Sequence, residues 1–415
     1  MSHLFSPWKR GTPLSAKHAF VILSVLMFFF SAQVSLDMYV DSSYLKSTIL
    51  STPGFADSHT WANPDNIIGA LYAIASLITL LGLIIAPKIL RRFGNYKWTL
   101  SILVVHMMLL LGLSFSNTAW LVIPLFMVES ALTSILYFNF DVFLERYSKD
   151  ENTGVIRGIF IAISSIAWFT PPFFAGIIVD HYGFSLIYLC GALLIIPTVI
   201  IMMMYMSGFK DMNYDSKTAI LSPSHKKRKP DIARILWVQF FLQFFYAWMI
   251  IYAPLYFHDV VGVSYQDFGM IMAIALTAFV IFPTPQGWLA DKMLGEKEML
   301  VIGFFLMGIS CLAIPYLASF HLGLWWWAAL LFVGRAGAST VETMAEVYFF
   351  KQIDGHDASY IGYFRRARPM AFIVAPLLAS VLLQFKFIPL SGLFIILGFV
   401  MLMALYFPIG LKDTK

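Results

Sequence analysis

Polar residues are so sparse in this chain that they act as punctuation between long apolar runs. Twelve runs can be counted, at about 19–40, 66–87, 97–115, 118–143, 157–179, 184–206, 234–256, 267–290, 298–317, 324–348, 360–383 and 391–410. A helix that crosses a bilayer needs ~20 predominantly apolar residues. The apolar positions run on without the period-two alternation of a barrel strand. The pattern predicts an all-α membrane protein with twelve transmembrane helices.

The polar breaks order those helices. Ser116 and Asn117 separate the third run from the fourth, and 180-DHYG-183 the fifth from the sixth. Breaks so short make each pair antiparallel neighbours. The stretch 41–65, with Pro53, Gly54 and Pro64, reads as the longest external loop, folded over the mouth of the protein. Residues 207–233 interrupt the pattern halfway with Gly208, Lys210, Asp211, Asn213, Ser222, Pro223 and the basic run 225-HKKRK-229. The expected division is an N-terminal six-helix half, 1–206, a linker, 207–233, and a C-terminal six-helix half, 234–415.

The halves echo each other. The stretch from Gly334 overlays the one from Glu129 at an offset of 205, bringing Glu346 onto Asp141, Lys351 onto Arg146 and Pro376 onto Pro171. The polar break 351–359 then falls on 146–154. Each copy is an apolar helix with an acidic end, a polar loop and a second apolar helix containing proline. A long internal repeat in an apolar chain marks a transporter built from two pseudo-symmetric halves.

Composition agrees: 60% of residues are hydrophobic, 12% are charged and the mean hydropathy is +0.78. The surplus of basic residues has a topological meaning. With the N-terminus in the cytoplasm, all but Lys46, Lys386, Arg335 and Arg368 of the 28 lysines and arginines fall on the cytoplasmic side. That asymmetry sets the orientation, with both termini inside. It makes the lipid bilayer, not nucleic acid, the expected partner; the run 225–229 reads as a solvated linker, with anionic lipid as the alternative. The polar, basic first eighteen residues lead into an uncleaved first span. Cys190 and Cys311 sit inside runs as small core residues, and Trp325, Trp326 and Trp327 stand where an interfacial belt belongs.

The string 287-GWLADKMLGEKE-298 adds a motif to this layout. Six plus six helices, a basic central linker and Gly287, Asp291, Lys292 and Gly295 together resemble the major facilitator superfamily. Two departures stand out: one residue too many precedes Gly295, and the first-half counterpart (Arg91, Arg92, Phe93, Gly94, Lys97) has no aspartate. The resemblance implies that Asp291 meets the start of the fifth helix, at Gly158 and Arg157, when the cytoplasmic side is shut. The physics is general: a carboxylate accepts from exposed N–H groups at a helix start, and the helix dipole adds to the attraction. The resemblance also implies that the first, fourth, seventh and tenth helices line the central path.

Charges inside the apolar runs are the second signal, because an ionisable group in mid-bilayer is costly and faces a cavity or a partner. Glu129 and Arg335 lie near the middle of the fourth and tenth runs, which are counterparts under the repeat. Arg335, Ser339, Glu342 and Glu346 step along one helical face. With Asp37, Gln239, Gln243 and Tyr246, they make the candidate path for substrate and protons. The competing reading is structural, with Glu129 and Arg335 each pairing with nearby polar groups to hold the halves together and Asp37 reaching the interface. Asp141, Glu145, Arg146, Glu346, Arg365, Arg366 and Arg368 are expected to form a charge network at the cytoplasmic ends, Arg368 reaching deeper.

The run 171-PPFFAG-176 partly matches the family's antiporter motif, with a fainter copy in Pro376, Ala379 and Ser380. Close helix packing explains most of it; the remainder leans towards proton-linked export, against uptake by symport or uniport. No metal, nucleophile or phosphate-loop motif occurs, so no catalytic residue, metal site or cofactor is expected. The sequence reading is a monomeric secondary transporter of the plasma (inner) membrane, moving a small organic solute with protons. A polytopic membrane enzyme or a non-transporting sensor is the alternative.

Overall fold

A computed structural model of the chain describes residues 16–55, 64–147, 166–209, 230–320, 322–352, 358–384 and 388–412. Among them no strand forms. The first half comprises α1 (Ala16–Asp37), α2 (Asp41–Ser51), α3 (Pro64–Phe93), α4 (Asn95–Phe115), α5 (Ala119–Tyr147), α6 (Pro171–Tyr182) and α7 (Phe184–Tyr205). The second comprises α8 (Pro230–Tyr256), α9 (Tyr265–Leu276), α10 (Ala278–Ile281), α11 (Pro283–Leu289), α12 (Glu296–Ala318), α13 (Leu324–Gln352), α14 (Ala358–Gln384), α15 (Leu390–Ala404) and α16 (Tyr406–Ile409).

Among the described residues nine helices are long and apolar enough to cross a bilayer, and Tyr265–Ile281 with Pro283–Leu294 makes a tenth span bent by 41°. The bend falls at Pro283, which offers no N–H to the preceding turn. The 29-residue α13 is long enough too, but carries Arg335, Glu342, Glu346 and Lys351. Residues 166–169 are helical just ahead of the proline-led α6, and those before 166 lie outside the described residues. This is compatible with the twelve-run pattern. The repeat is reproduced in the helices themselves: α5 and α13 are both 29 residues long, and their ends differ by the same 205 positions.

Two expectations need correction. The stretch after Asp37 does not run out into a loop. A single turn leads into α2, whose Tyr44, Leu45 and Ile49 are buried and whose Tyr44 hydroxyl donates to the carbonyls of Leu113 and Ser116. Asp41, Ser42 and Ser43 disguise a helix that is buried against protein rather than lipid. In the tryptophan triplet, Trp325 and Trp326 are exposed, but Trp327 is buried with its ring 5.0 Å from Phe257. Successive residues on a helix point about 100° apart, so a triplet cannot all face one medium.

The extra residue before Gly295 has a local solution. Ala290–Leu294 winds as a π turn, closed by the Gly295 N–H donating to the Ala290 carbonyl at 2.9 Å. A π turn absorbs one inserted residue without breaking the helix. Gly295 then takes φ 96°, a conformation open to glycine but strained for other residues, and α12 begins.

The halves meet along two principal helix pairs, α3 with α14 and α6 with α9. Both use the small residues of the proline-containing runs. A Cβ at Gly176 would come within 3.0 Å of the Tyr265 backbone, and one at Gly69 within 3.0 Å of the Pro376 carbonyl and the Ser380 hydroxyl. Ser380 also donates to the Asn66 carbonyl at 2.8 Å. Without a strong hydrophobic drive between helices in lipid, such close approach and polar glue hold them together. Trp248 and Tyr252 of α8 are buried here, their polar tips turned to the carbonyls of Ala375 and Pro376.

Candidate functional site

A cavity of about 1080 Å³ lies between the halves. Its floor is lined by Asp37, Asp41, Tyr72 and Glu129 of the first half and Gln239, Gln243 and Glu342 of the second. Its far end is lined by Asp141, Glu346, Lys351, Arg365, Arg366 and Arg368.

Behind the first-half floor polar groups run in file, hydrogen-bonded except between Glu129 and His106. Thr133 donates to Glu129 Oε1 at 3.0 Å, and His106 Nδ1 lies 3.8 Å from the same oxygen. His106 Nε2 meets Gln33 Oε1 at 2.9 Å, and Gln33 Nε2 donates to Asp37 Oδ2 at 2.5 Å. The amide fixes the tautomer: Gln33 offers its oxygen to His106, so a neutral His106 carries its proton on Nε2 and turns the Nδ1 lone pair towards Glu129. A proton on Glu129 therefore has an acceptor beside it. Beyond the imidazole, the Gln33 amide does not itself carry a proton onward; it ties His106 to Asp37 by hydrogen bonds and fixes both in place. Asp41 lies next along, accepting from the Tyr188 hydroxyl at 2.8 Å.

The second half differs in kind: Arg335 and Tyr246 stand behind the lining, not in it. Arg335 is 2% exposed, with the rings of Phe245, Tyr39 and Tyr246 at 5.6 to 5.9 Å. Among the described residues its Nε and Nη2 have no hydrogen-bond partner. Tyr246 donates to Glu342 Oε2 at 2.9 Å. Glu129 and Arg335, counterparts in sequence, form no ion pair: Glu129 turns to Thr133 and His106, and Arg335 to aromatic faces.

The two ends of the cavity are built differently. At one end Lys46 of α2 joins Asp65 of α3, at 2.6 Å, to Asp259 beyond α8, at 2.8 Å. Burial alone would lower the Lys46 ammonium, but hydrogen bonds to Asp259 and Asp65 outweigh it and hold its pKa above the ordinary lysine value. Beside it, Asp180 at the end of α6 accepts from the N–H groups of Tyr265 and Gln266 at the start of α9, at 3.3 and 2.7 Å. At the other end Arg365 reaches Asp141 across the halves at 2.5 Å, both side chains nearly half exposed. The cavity is shut at the Lys46 end and opens at the Arg365 end.

The remaining sequence candidates are accounted for as follows. Arg366 lies over the Tyr363 ring at 4.6 Å and Arg368 over Phe372 at 5.6 Å. Gly287 and Lys292 sit on the bent span, with Lys292 over the Trp288 ring at 5.8 Å. Arg157, Gly158, the run 225–229 and the side chains of Asp291, Glu145 and Arg146 lie outside the described residues. Sequence reasoning missed His106 and Asp41. His106 was legible as an ionisable residue inside an apolar run; Asp41 was hidden by its assignment to a loop.

Long apolar helices in two halves around a central cavity define an integral membrane protein of the secondary transporter class. The sequence profile of the Major Facilitator Superfamily matches residues 20–365 and 235–415, and the chain belongs to that family. No curated protein matches the chain in sequence. In structure it is similar to "the POT family transporter PepTSo", with a TM-score of 0.75 at 9% identity, covering 96% of this chain and 98% of that one. It is similar also to an "auto inhibited POT family peptide transporter", with a TM-score of 0.71 at 10% identity and the same coverage. At such identity the likeness is one of fold.

Proposed function

We propose that this protein is a proton-coupled exporter of a small organic solute, seated as a monomer in the plasma (inner) membrane with both termini in the cytoplasm. The halves 1–206 and 234–415 rock about the central cavity, and the linker 207–233 ties them on the cytoplasmic side. The positive-inside rule makes the Arg365 end cytoplasmic, so the conformation described is inward-open. In the outward-open state Asp291, with Gly287 and Lys292, closes the inner end against the helix that starts near Arg157.

The observation that carries the reading is the chain Glu129, His106, Gln33, Asp37 at the cavity floor. A carboxylate beside a neutral imidazole, in a site reached by water from one side at a time, can take a proton on one side and yield it on the other. Arg335 and Glu342 of the second half change their distance from this chain as the halves rock, altering its proton affinity between states.

The experiment is transport in proteoliposomes with and without a pH gradient. Glu129→Gln is expected to abolish gradient-driven movement while leaving solute exchange measurable, and His106→Gln to slow the coupled mode only. Full coupling in Glu129→Gln, Asp37→Asn and Glu342→Gln alike would sink the proton reading.

A further inference from the structure

The first half lines the cavity floor with three carboxylates, those of Asp37, Asp41 and Glu129, and Glu342 faces them from the second. Among the described residues no lysine or arginine nitrogen lies within 4 Å of any of them. Their contacts are to neutral groups: Gln33, Tyr188, Thr133 and the His106 imidazole. Arg335, the buried cation of the second half, is not part of the lining and stands among aromatic rings.

A cluster of acids alone would say little, but two further side chains lack partners. Tyr72 and Gln239 both line the cavity, 6% and 9% exposed, and among the described residues neither the Tyr72 hydroxyl nor Gln239 Oε1 has a hydrogen-bond partner. A buried polar atom left unpaired is costly, and each of these has an oxygen lone pair to offer a donor. Elsewhere the cavity wall carries aromatic rings, with Tyr137, Phe138, Phe364 and Phe372. Uncompensated negative charge, spare acceptors and ring faces together suit a positively charged head group on an apolar body.

We propose that Asp37, Asp41 and Glu129 form the head-group site for an organic monocation, a protonated amine or quaternary centre with an aromatic or apolar body. The inference rests on the transporter reading and gives its substrate class. Because the proposed proton carriers are the same carboxylates, cation and proton compete for one site, and arrival of one expels the other. No covalent bond changes; the exchange is one positive charge for another. The titratable groups that face these acids are Tyr72 on α3, His106 on α4, Tyr137 on α5 and Tyr188 on α7, with Arg335 beyond the Tyr39 ring. His106 is fully buried, and burial disfavours its charged form, so the pH dependence of binding is carried by the carboxylates.

The test is equilibrium binding to the full chain in nanodiscs. The probes are tetraphenylphosphonium, 2-phenylethylamine, phenylalanine and phenylpropionate. The two cations should bind and the carboxylate should not, with tetraphenylphosphonium tightening severalfold between about pH 5.5 and pH 8 as protons leave the site. Glu129→Gln and Asp37→Asn should each weaken both cations about tenfold, with thermal unfolding of each variant checked alongside. Tyr72→Phe, which removes one oxygen, should weaken the N–H-bearing amine and leave tetraphenylphosphonium unchanged. It decides the matter if the acid variants do not fold. Phenylpropionate binding as tightly as the amine would overturn the proposal. So would phenylalanine binding more tightly than the amine, or cation affinity indifferent to pH and to every variant. Cation binding without pH-driven transport retires the coupling reading and keeps the site; coupled transport with no cation binding does the reverse.

Discussion

At the Lys46 end of the cavity the two halves touch through backbone; at the Arg365 end they touch through the tips of two exposed side chains. The shut end packs Gly176 against the Tyr265 backbone, Gly269 against the Pro172 carbonyl and Gly69 against Pro376. It adds the Asp180 cap and the Lys46 bridge. The open end carries the Arg365–Asp141 pair, each side chain about 45% exposed. Backbone contacts cannot yield gradually, whereas a solvated ion pair can re-form over a range of distances. The shut end therefore behaves as a two-position element and the open end as a tether. Alternating access needs that difference, because a switch must release all at once to move the population.

The largest expected effect comes from breaking the shut end where it is stiffest. Gly176→Leu puts a side chain where Tyr265 and Gln266 have only backbone to move. Overpacking costs about 1–3 kcal/mol, and the upper figure shifts a two-state equilibrium roughly a hundredfold. Spin labels on Tyr182→Cys and Val260→Cys, both exposed at this end, should then report a longer separation in most molecules. An unchanged distance distribution would mean that the seam bends and is no switch.

The caps come next. Asp180→Asn removes the charge that attracts the α9 N-terminus while keeping an acceptor, so roughly 1 kcal/mol and a severalfold shift are expected. Lys46→Met leaves Asp65 and Asp259 without their shared cation and should have a similar effect in the same spin-label measurement. With its pKa raised, Lys46 contributes fully below the ordinary lysine value of about 10 and loses that contribution only as pH rises through the shifted value. The Lys46 contribution should thus stay flat from pH 6 to 9. A loss within that range would assign the seal to other groups.

How much of this was readable beforehand depends on what each feature rests on. The helices came from local pattern, so the 205-residue repeat returns as matching ends of α5 and α13. Asp37, Glu129, Gln239, Gln243 and Glu342 were singled out because polarity in an apolar run is locally visible, and all five line the cavity. Pairing was not visible. Glu129 meets Thr133 and His106 while Arg335 meets aromatic rings, because the rotation of each helix decides which neighbour a side chain meets, and nothing local records that. The logic drawn for Asp291, a carboxylate on the other half's helix start, is met at the opposite end by Asp180, 85 positions from its partner Tyr265. Asp180 reads in sequence as an ordinary turn aspartate. The π turn at Ala290–Leu294 was half visible, as one residue too many.

The smallest effect is expected at the tether. Arg365→Gln removes a cross-half ion pair whose geometry is good, at 2.5 Å, and whose surroundings are poor, since both groups face water. Exposed pairs are worth a few tenths of a kcal/mol to about 1, and salt screens what remains. Arg366 and Arg368 line the same end and keep its field positive. Labels on Arg92→Cys and Phe350→Cys, exposed at this end, should show less than about a twofold change in population, shrinking further at high salt. A shift as large as that of Gly176→Leu would reverse the comparison: the tether would then hold the balance, and the packed end would follow it.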